Sequence, residues 1–313
     1  MYRCLNNIKN LKLYIESSSF YDNKSMNGGA IYFLGKEDSE HFEVDITMKN
    51  LVFDGNIAEE YGGAIYSEYN GLYKTYSYGL TFKNNIANIA GGALYTPTDR
   101  KKNLLMYEDL KLNNNSGLSY GNDISSSPAY AVIKSKYDNE TLYIPSGSYL
   151  SFNFKLYDES NIFIEDKMNY LNKITIRAEL YNTINSKNYL TGNICTFTYG
   201  ECKLNNLKIL AAKEQYTLKF NIDSIYNTTI KGKKEYNIII TNCSKNEIGI
   251  LSNNGLLSCE TPICNSECPT TTTAICSAEN NTLLINNPKY NSCKCIDGYK
   301  GSKCDEKIFL DLR

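Results

Sequence analysis

Tryptophan is absent from this 313-residue chain, histidine occurs once, at His41, and arginine only at Arg3, Arg100, Arg177 and Arg313. A lone histidine leaves no imidazole pair to hold a metal and no partnered base to activate a nucleophile. His41 also lies in the acidic insert Lys36–Glu43, where a solvated loop residue is expected. Neither a metal nor a cofactor is therefore expected. No run of about eighteen apolar residues occurs, so no helix of this chain is expected to span a membrane. Thirty-three Lys and Arg face 34 Asp and Glu, a net charge of −1 without a basic block, which argues against nucleic acid. Helical periodicity is missing too: no ten-residue stretch carries a 3.6-residue pattern.

What is present is a repeat. Phe20-Tyr-Asp-Asn23 precedes Gly28-Gly29-Ala30-Ile31-Tyr32, Phe53-Asp-Gly-Asn56 precedes Gly62-Gly63-Ala64-Ile65-Tyr66, and Phe82-Lys-Asn-Asn85 precedes Gly91-Gly92-Ala93-Leu94-Tyr95. A worn fourth copy runs from Leu112 through Asn115 to Gly121-Asn122-Asp123-Ile124. A period near thirty means stacked supersecondary units, a solenoid. Short runs such as Val44-Asp-Ile46-Thr-Met48 and Leu51-Val-Phe53 alternate with period two, so the units are strands. Gly, Asn and Asp between them permit the positive-φ corners a coil needs. The paired glycines leave room where coils cross closely. Phe20, Phe53, Phe82 and Leu112 are expected to stack inside as a column. Asn23, Asn56, Asn85 and Asn115 are expected to form an amide ladder that satisfies turn backbone groups. These residues predict a short parallel β-helix of about four coils, residues 1–127.

The motif F-x-x-N followed by G-G-A-[IL]-Y resembles the repeat of chlamydial polymorphic outer membrane proteins, and Gly121-Asn-Asp-Ile looks like that family's closing coil. The resemblance covers residues 15 to 125. It implies a right-handed β-helix of the pectin-lyase-like kind at a cell surface, used for adhesion or recognition. Departures are the long inserts Leu34–Glu43 and Glu68–Tyr78 and a first copy that begins almost at Met1.

Eleven cysteines, seven of them after residue 258, point to an oxidising compartment. Cys293-Lys-Cys295-Ile-Asp-Gly298-Tyr299-Lys-Gly301-Ser-Lys-Cys304 resembles the C-terminal half of an epidermal-growth-factor module, spanning 259–305. A Cys295–Cys304 bridge would staple a small hairpin turned by Gly298 and Gly301, with Tyr299 supplying most of its apolar packing. The family's connectivity implies Cys264–Cys276, Cys268–Cys293 and Cys295–Cys304. No calcium-binding run precedes Cys264, and zinc is disfavoured because the sole histidine is far away. Sequons at Asn114, Asn139, Asn227, Asn242 and Asn280 are expected to carry sugar; the one at Asn23 falls on the ladder and is not.

Residues 128–250 alternate polar and apolar in short strands, for example Tyr149–Tyr157 and Gln215–Ile222, and predict an antiparallel β-sandwich of the Ig/filamin-like kind. Cys195 and Cys202 flank a short loop and are expected to pair across a hairpin. Cys243 is expected to join Cys259, leaving Cys4 without a mate. The segment Met1-Tyr-Arg-Cys-Leu-Asn-Asn lacks the apolar core of an export signal. Disulfides without such a signal predict that the chain is part of a longer protein. The order of β-helix, sandwich and cystine module, with abundant Asn, Lys, Ile and Tyr, resembles the ectodomain of class C G-protein-coupled-receptor-like proteins of anaerobic gut fungi. That resemblance implies a membrane anchor in sequence outside this chain.

Catalysis is not expected. The ladder positions are Asn rather than Asp, and Asp22 and Asp54 stand at different offsets from their phenylalanines. Oxidised cysteines provide no thiolate. Tyr32, Tyr66 and Tyr95 recur at one register, which permits either a carbohydrate-stacking stripe or tyrosines packed beside the turns with surface hydroxyls. The expected function is non-catalytic extracellular recognition or adhesion, toward a protein or a cell-wall polysaccharide. The alternatives are a carbohydrate-active β-helix and a structural spacer.

Overall fold

Each repeat closes one turn of a parallel β-helix. The computed structural model describes residues 10–34, 43–69, 75–97, 109–137, 141–183, 187–279, 281 and 284–308. Cys4, His41, Asn139 and Asn280 lie outside them, as do Arg3, Arg100 and Arg313. The first coil holds β1 (Asn10–Glu16), β2 (Ser19–Tyr21), β3 (Lys24–Ser25) and β4 (Ile31–Phe33). The second holds β5 (Glu43–Lys49), β6 (Val52–Asp54), β7 (Ile57–Ala58) and β8 (Ile65–Ser67). The third holds β9 (Tyr76–Tyr78), β10 (Thr81–Lys83), β11 (Ile86–Ala87) and β12 (Leu94–Thr96), and the fourth β13 (Lys111–Asn113), β14 (Ser116–Gly117) and β15 (Ile124–Ser126). Equivalent strands stack in register into four parallel sheets: β1-β5-β9, β2-β6-β10-β13, β3-β7-β11-β14 and β4-β8-β12-β15.

The repeated residues meet as the period dictates. Phe20, Phe53, Phe82 and Leu112 share one register, and the three rings stack with centroids 4.9 and 4.6 Å apart. The column does not close with Leu112, which is 37 % exposed because it lies on the last coil with no further coil against it. In each Gly-Gly pair the two residues do different jobs. Gly28, Gly62 and Gly91 take φ of 60°, 65° and 70°, a left-handed conformation that costs other residues energy. Gly29, Gly63 and Gly92 face the neighbouring coil: an added Cβ would lie 2.1–2.3 Å from a backbone carbonyl oxygen there. Gly121 keeps the positive φ, at 65°, in the fourth copy.

The ladder is continuous and polar. Asn23, Asn56 and Asn85 each donate through Nδ2 to Oδ1 of the asparagine one coil on, at 2.8–2.9 Å. The amides of Asn56, Asn85 and Asn115 also donate to the carbonyls of Phe20, Phe53 and Phe82. Asn115 has no next asparagine and donates to Asp123 Oδ1 at 2.9 Å. The worn fourth copy therefore has a function: aspartate replaces alanine there and terminates the row.

After Ser127 the chain enters a two-sheet sandwich. Its strands are β16 (Pro128–Lys134), β17 (Leu142–Pro145), β18 (Tyr149–Asp158), β19 (Thr175–Tyr181), β20 (Asn188–Thr191), β21 (Ile194–Thr196), β22 (Glu201–Ala211), β23 (Gln215–Asp223), β24 (Thr229–Lys231) and β25 (Glu235–Thr241). One sheet runs β20-β22-β18-β16-β24 and the other β17-β25-β23-β19-β21. Pairing is antiparallel except at two edges, where β16–β24 and β17–β25 are parallel. Cys195 and Cys202 are bonded, but β21 and β22 belong to different sheets. The bridge joins the two arms of the tight antiparallel turn at Thr198–Glu201, as expected, and because those arms pass into opposite layers it also staples sheet to sheet.

Cys243 bonds Cys259, which fastens the hairpin β26 (Ile248–Leu251)–β27 (Leu257–Glu260) to the end of the sandwich, where Cys259 N–H donates to Ser146 O at 2.7 Å. Then come hairpins of β28 (Ala274–Ser277) with β29 (Ser292–Cys295) and β30 (Tyr299–Lys300) with β31 (Glu306–Lys307). Their bridges are Cys264–Cys276, Cys268–Cys293 and Cys295–Cys304. Gly298 and Gly301 turn the chain at φ of 91° and 93°. Tyr299, however, is outside the apolar cluster, which consists of the half-cystines and Ala274. In so small a unit the sulfurs themselves fill the centre. The long span between Cys276 and Cys293 is held by side-chain amides: Asn286 accepts from Ile263 N–H and donates to Thr261 O, and Asn291 donates to Ile263 O.

Candidate functional site

The four outer faces of the β-helix are not equivalent, because the sandwich covers one of them. Along β4-β8-β12-β15 the strands turn Ile31, Ile65 and Leu94 into the coil interior and Tyr66 and Tyr95 out of it. Those outward tyrosines, with Tyr120, Ile89 and Ala90, join Phe152, Phe154 and Phe220 of the sandwich in one continuous core. Tyr61 and Tyr95 stack at 4.5 Å, and the Tyr95 hydroxyl bonds to Ser127 Oγ at 3.1 Å. Both readings of the Tyr32, Tyr66 and Tyr95 register are thereby corrected. Tyr66 and Tyr95 are buried between the domains, available neither to a sugar nor to solvent. Tyr32 is half-buried at the rim and donates to Glu68 at 2.8 Å.

Burial, before any charge effect, raises the pKa of these phenols. Tyr95 is pushed up to about 12, while Tyr61, Tyr66 and Tyr120 are raised above the ordinary tyrosine value. A polar lock closes the same seam. Ser119 donates to Asp166 Oδ1 at 2.7 Å and accepts from Met168 N–H, while Asp166 accepts from the amides of Tyr170 and Leu171.

The face on β1-β5-β9 is uncovered and aromatic. Alternation puts Lys12, Tyr14 and Glu16 outward on β1, Asp45, Thr47 and Lys49 on β5, and Tyr76 and Tyr78 on β9. Register aligns them in rows: Tyr14–Thr47–Tyr76 and Glu16–Lys49–Tyr78. Tyr14 is 59 % exposed, Tyr76 52 % and Tyr78 41 %. Lys49 Nζ lies 5.8 Å from the Tyr14 ring centroid and 5.3 Å from that of Tyr76, within cation–π reach of both. Tyr14 donates its hydroxyl to the Glu16 carboxylate, and that hydrogen bond raises the phenol pKa. The arrangement offers flat apolar faces with a hydroxyl, an ammonium and a carboxylate between them. Sequence reasoning missed it; the signal was the pair Tyr76-Ser-Tyr78 at period two opposite Tyr14, hidden by the unequal inserts.

The acidic residues weighed for catalysis stand on neighbouring coils but out of register, with Asp22 N–H donating to Asp54 O at 3.0 Å. Asp54 aligns with Tyr21 and not with Asp22, which stands at the turn opposite Gly55. Asp54 accepts from Asn84 at 2.9 Å and pairs with Lys83 at 3.0 Å, and these contacts hold its carboxyl below the usual range. Among the described residues no group of three or more His, Cys, Asp and Glu is arranged to hold a metal. Of the sequons, Asn114, Asn227 and Asn242 are exposed, and the first two have positive φ. Asn114 also donates to Asn84. No described helix is long and apolar enough to cross a membrane.

Comparison with known families finds one match: the Chlamydia polymorphic membrane protein repeat, at residues 17–34, 50–68 and 79–97. These three segments are coil turns one to three as built in the structure. No curated protein matches the chain significantly.

Proposed function

We propose that this chain is a non-catalytic recognition or adhesion region of a surface protein, the β-helix presenting the binding faces and the sandwich supporting them. The observation that carries the reading is the match of three successive coils to the repeat of the polymorphic membrane proteins, whose name places that family at a membrane. Five disulfides support an extracytoplasmic setting, since such bonds persist where the environment oxidises. The last three follow the pairing order of an epidermal-growth-factor-like module, a part that recurs in ectodomains. On this reading the chain belongs to the ectodomain of a larger, receptor-like membrane protein and is glycosylated at its exposed sequons.

Absence of catalysis belongs to the same proposal. Two observations support it: Asp54 is already engaged by Lys83 and Asn84, and Asp22 does not share its register. The test has two arms. Beads coated with the oxidised chain are expected to adhere to intact cells or insoluble cell-wall preparations, above beads coated with reduced and alkylated chain. The soluble chain is expected to release no reducing or unsaturated sugar from pectin, xylan or cellulose, with or without calcium. Lyase or hydrolase activity that is lost in Asp54→Ala overturns the reading, as does equal adhesion of native and denatured chain.

A further inference from the structure

We infer that the outer face of β1-β5-β9 is a binding platform for a linear, uncharged polysaccharide, seated on Tyr14 and Tyr76 with Lys49 between them. The inference rests on the recognition reading and gives it a ligand class. Four features of the face select that class. First, the apolar surface is aromatic alone: the outward positions are Tyr, Lys, Thr, Glu and Asp, with no Leu, Ile, Val or Met among them. A pyranose ring has one flat C–H face and a rim of hydroxyls, and the row matches both. Rings receive the C–H face, while Thr47, Lys49, Glu16 and Tyr78 exchange hydrogen bonds with the rim.

Second, the spacing is periodic. Tyr14 and Tyr76 share a register two strands apart, roughly 10 Å at the usual strand spacing. A single sugar cannot cover both rings, whereas a chain lying across the strands, parallel to the solenoid axis, meets them in succession. Third, charge is balanced. Lys12 and Lys49 are offset by Glu16 and Asp45, so the face offers no net field to an acidic polymer. Fourth, the platform is rigid. It is backed by the stacked interior of the coils, with Ile46 and Met48 buried directly beneath. A preordered face loses little entropy on binding.

Affinity electrophoresis and calorimetry of the oxidised chain test this, using soluble neutral polymers (a mixed-linkage glucan, a xylan and a mannan) and polygalacturonate for comparison. At least one neutral polymer is expected to bind, with an affinity that changes little between low and high salt. Tyr14→Ala and Tyr76→Ala are each expected to weaken it about tenfold or more. Tyr76→Phe keeps the ring and should keep the binding. Tyr143→Ala, at an exposed tyrosine of the sandwich, should have no effect. Because the replaced side chains point outward, unchanged melting temperatures of the variants establish that the loss is not unfolding. The platform is overturned if no neutral polymer binds, if Tyr14→Ala and Tyr76→Ala bind like the parent, or if only polygalacturonate binds and salt abolishes it. Adhesion to cells that persists in the Tyr14→Ala/Tyr76→Ala double variant also overturns the platform while leaving the recognition reading standing.

Discussion

Asn56 occupies the middle of the amide ladder with all its bonding capacity engaged: two acceptors for its amide and two donors at its oxygen. Leucine has nearly the same volume and none of those groups. Asn56→Leu is therefore expected to cost about 1–3 kcal/mol, because it removes the amide that bonds the Phe20 carbonyl and the oxygen that accepts from Asn23 N–H. Asn23→Leu, on the exposed first coil, should change stability by less than about 0.5 kcal/mol. Chemical denaturation of the two variants checks this, and equal midpoints would contradict the ladder's role. The same residue-level economy appears at Asp123. Its carboxylate accepts the last amide, so one substitution in the fourth copy ends a row that the first three copies extend.

Among elements, the decisive contact is the tyrosine seam between β8, β12 and the sandwich. Tyr95 has a folded pKa of about 12 against an ordinary 10, with burial as the leading cause. A raised phenol pKa means that the fold favours the neutral form. Its contribution is complete below pH 10 and is lost as pH rises through 10 to 12, when the unfolded chain's phenols ionise first and draw the equilibrium over. The chain is expected to lose stability across that window, with phenolate absorbance rising together with loss of near-ultraviolet dichroism. Tyr95→Phe removes the ionisable group but also its bond to Ser127. That variant should start less stable at neutral pH and decline less between pH 10 and 12. Simple exposed-tyrosine titration, complete before any change in dichroism, would show that the seam is not a determinant of alkaline stability.

At the scale of the molecule, the coils keep an interior of their own, while their outward Tyr66 and Tyr95, with Tyr120 and Ile89, join the sandwich in a second core. Separating them leaves Tyr66, Tyr95, Tyr120 and Ile89 uncovered along one side of the coils, a contiguous apolar strip of the kind that drives association. A fragment of residues 1–127 is accordingly expected to bind a hydrophobic dye and self-associate, while the full chain stays monodisperse. In calorimetry the coils and the sandwich of the full chain should melt in one transition. Two well-separated transitions, or a soluble monomeric fragment, would mean that the shared core contributes little. The seam also fixes which sheet face of the coils the sandwich covers, that of β4-β8-β12-β15.

The repeat, the all-β class and the coil interior were legible in the linear sequence because they depend on local rules. Period-two alternation assigns Phe53 and Phe82 to the inside, Gly-Gly permits close crossing, and a fixed offset makes equivalent residues neighbours. Alternation says only that a side chain points out of its own coil; it does not say what stands outside. Tyr95 and Tyr76 both point outward from β-helix strands, yet one is buried under the sandwich and the other is half exposed. The difference lies in which face the following domain docks on, a long-range choice made by Ser119, Asp166 and the tyrosine core together. For the same reason the bonding of Cys195 to Cys202 could be read from their spacing, but its role as a staple between two sheets could not. Which layer each strand joins is decided by packing, and packing is a property of the assembled fold.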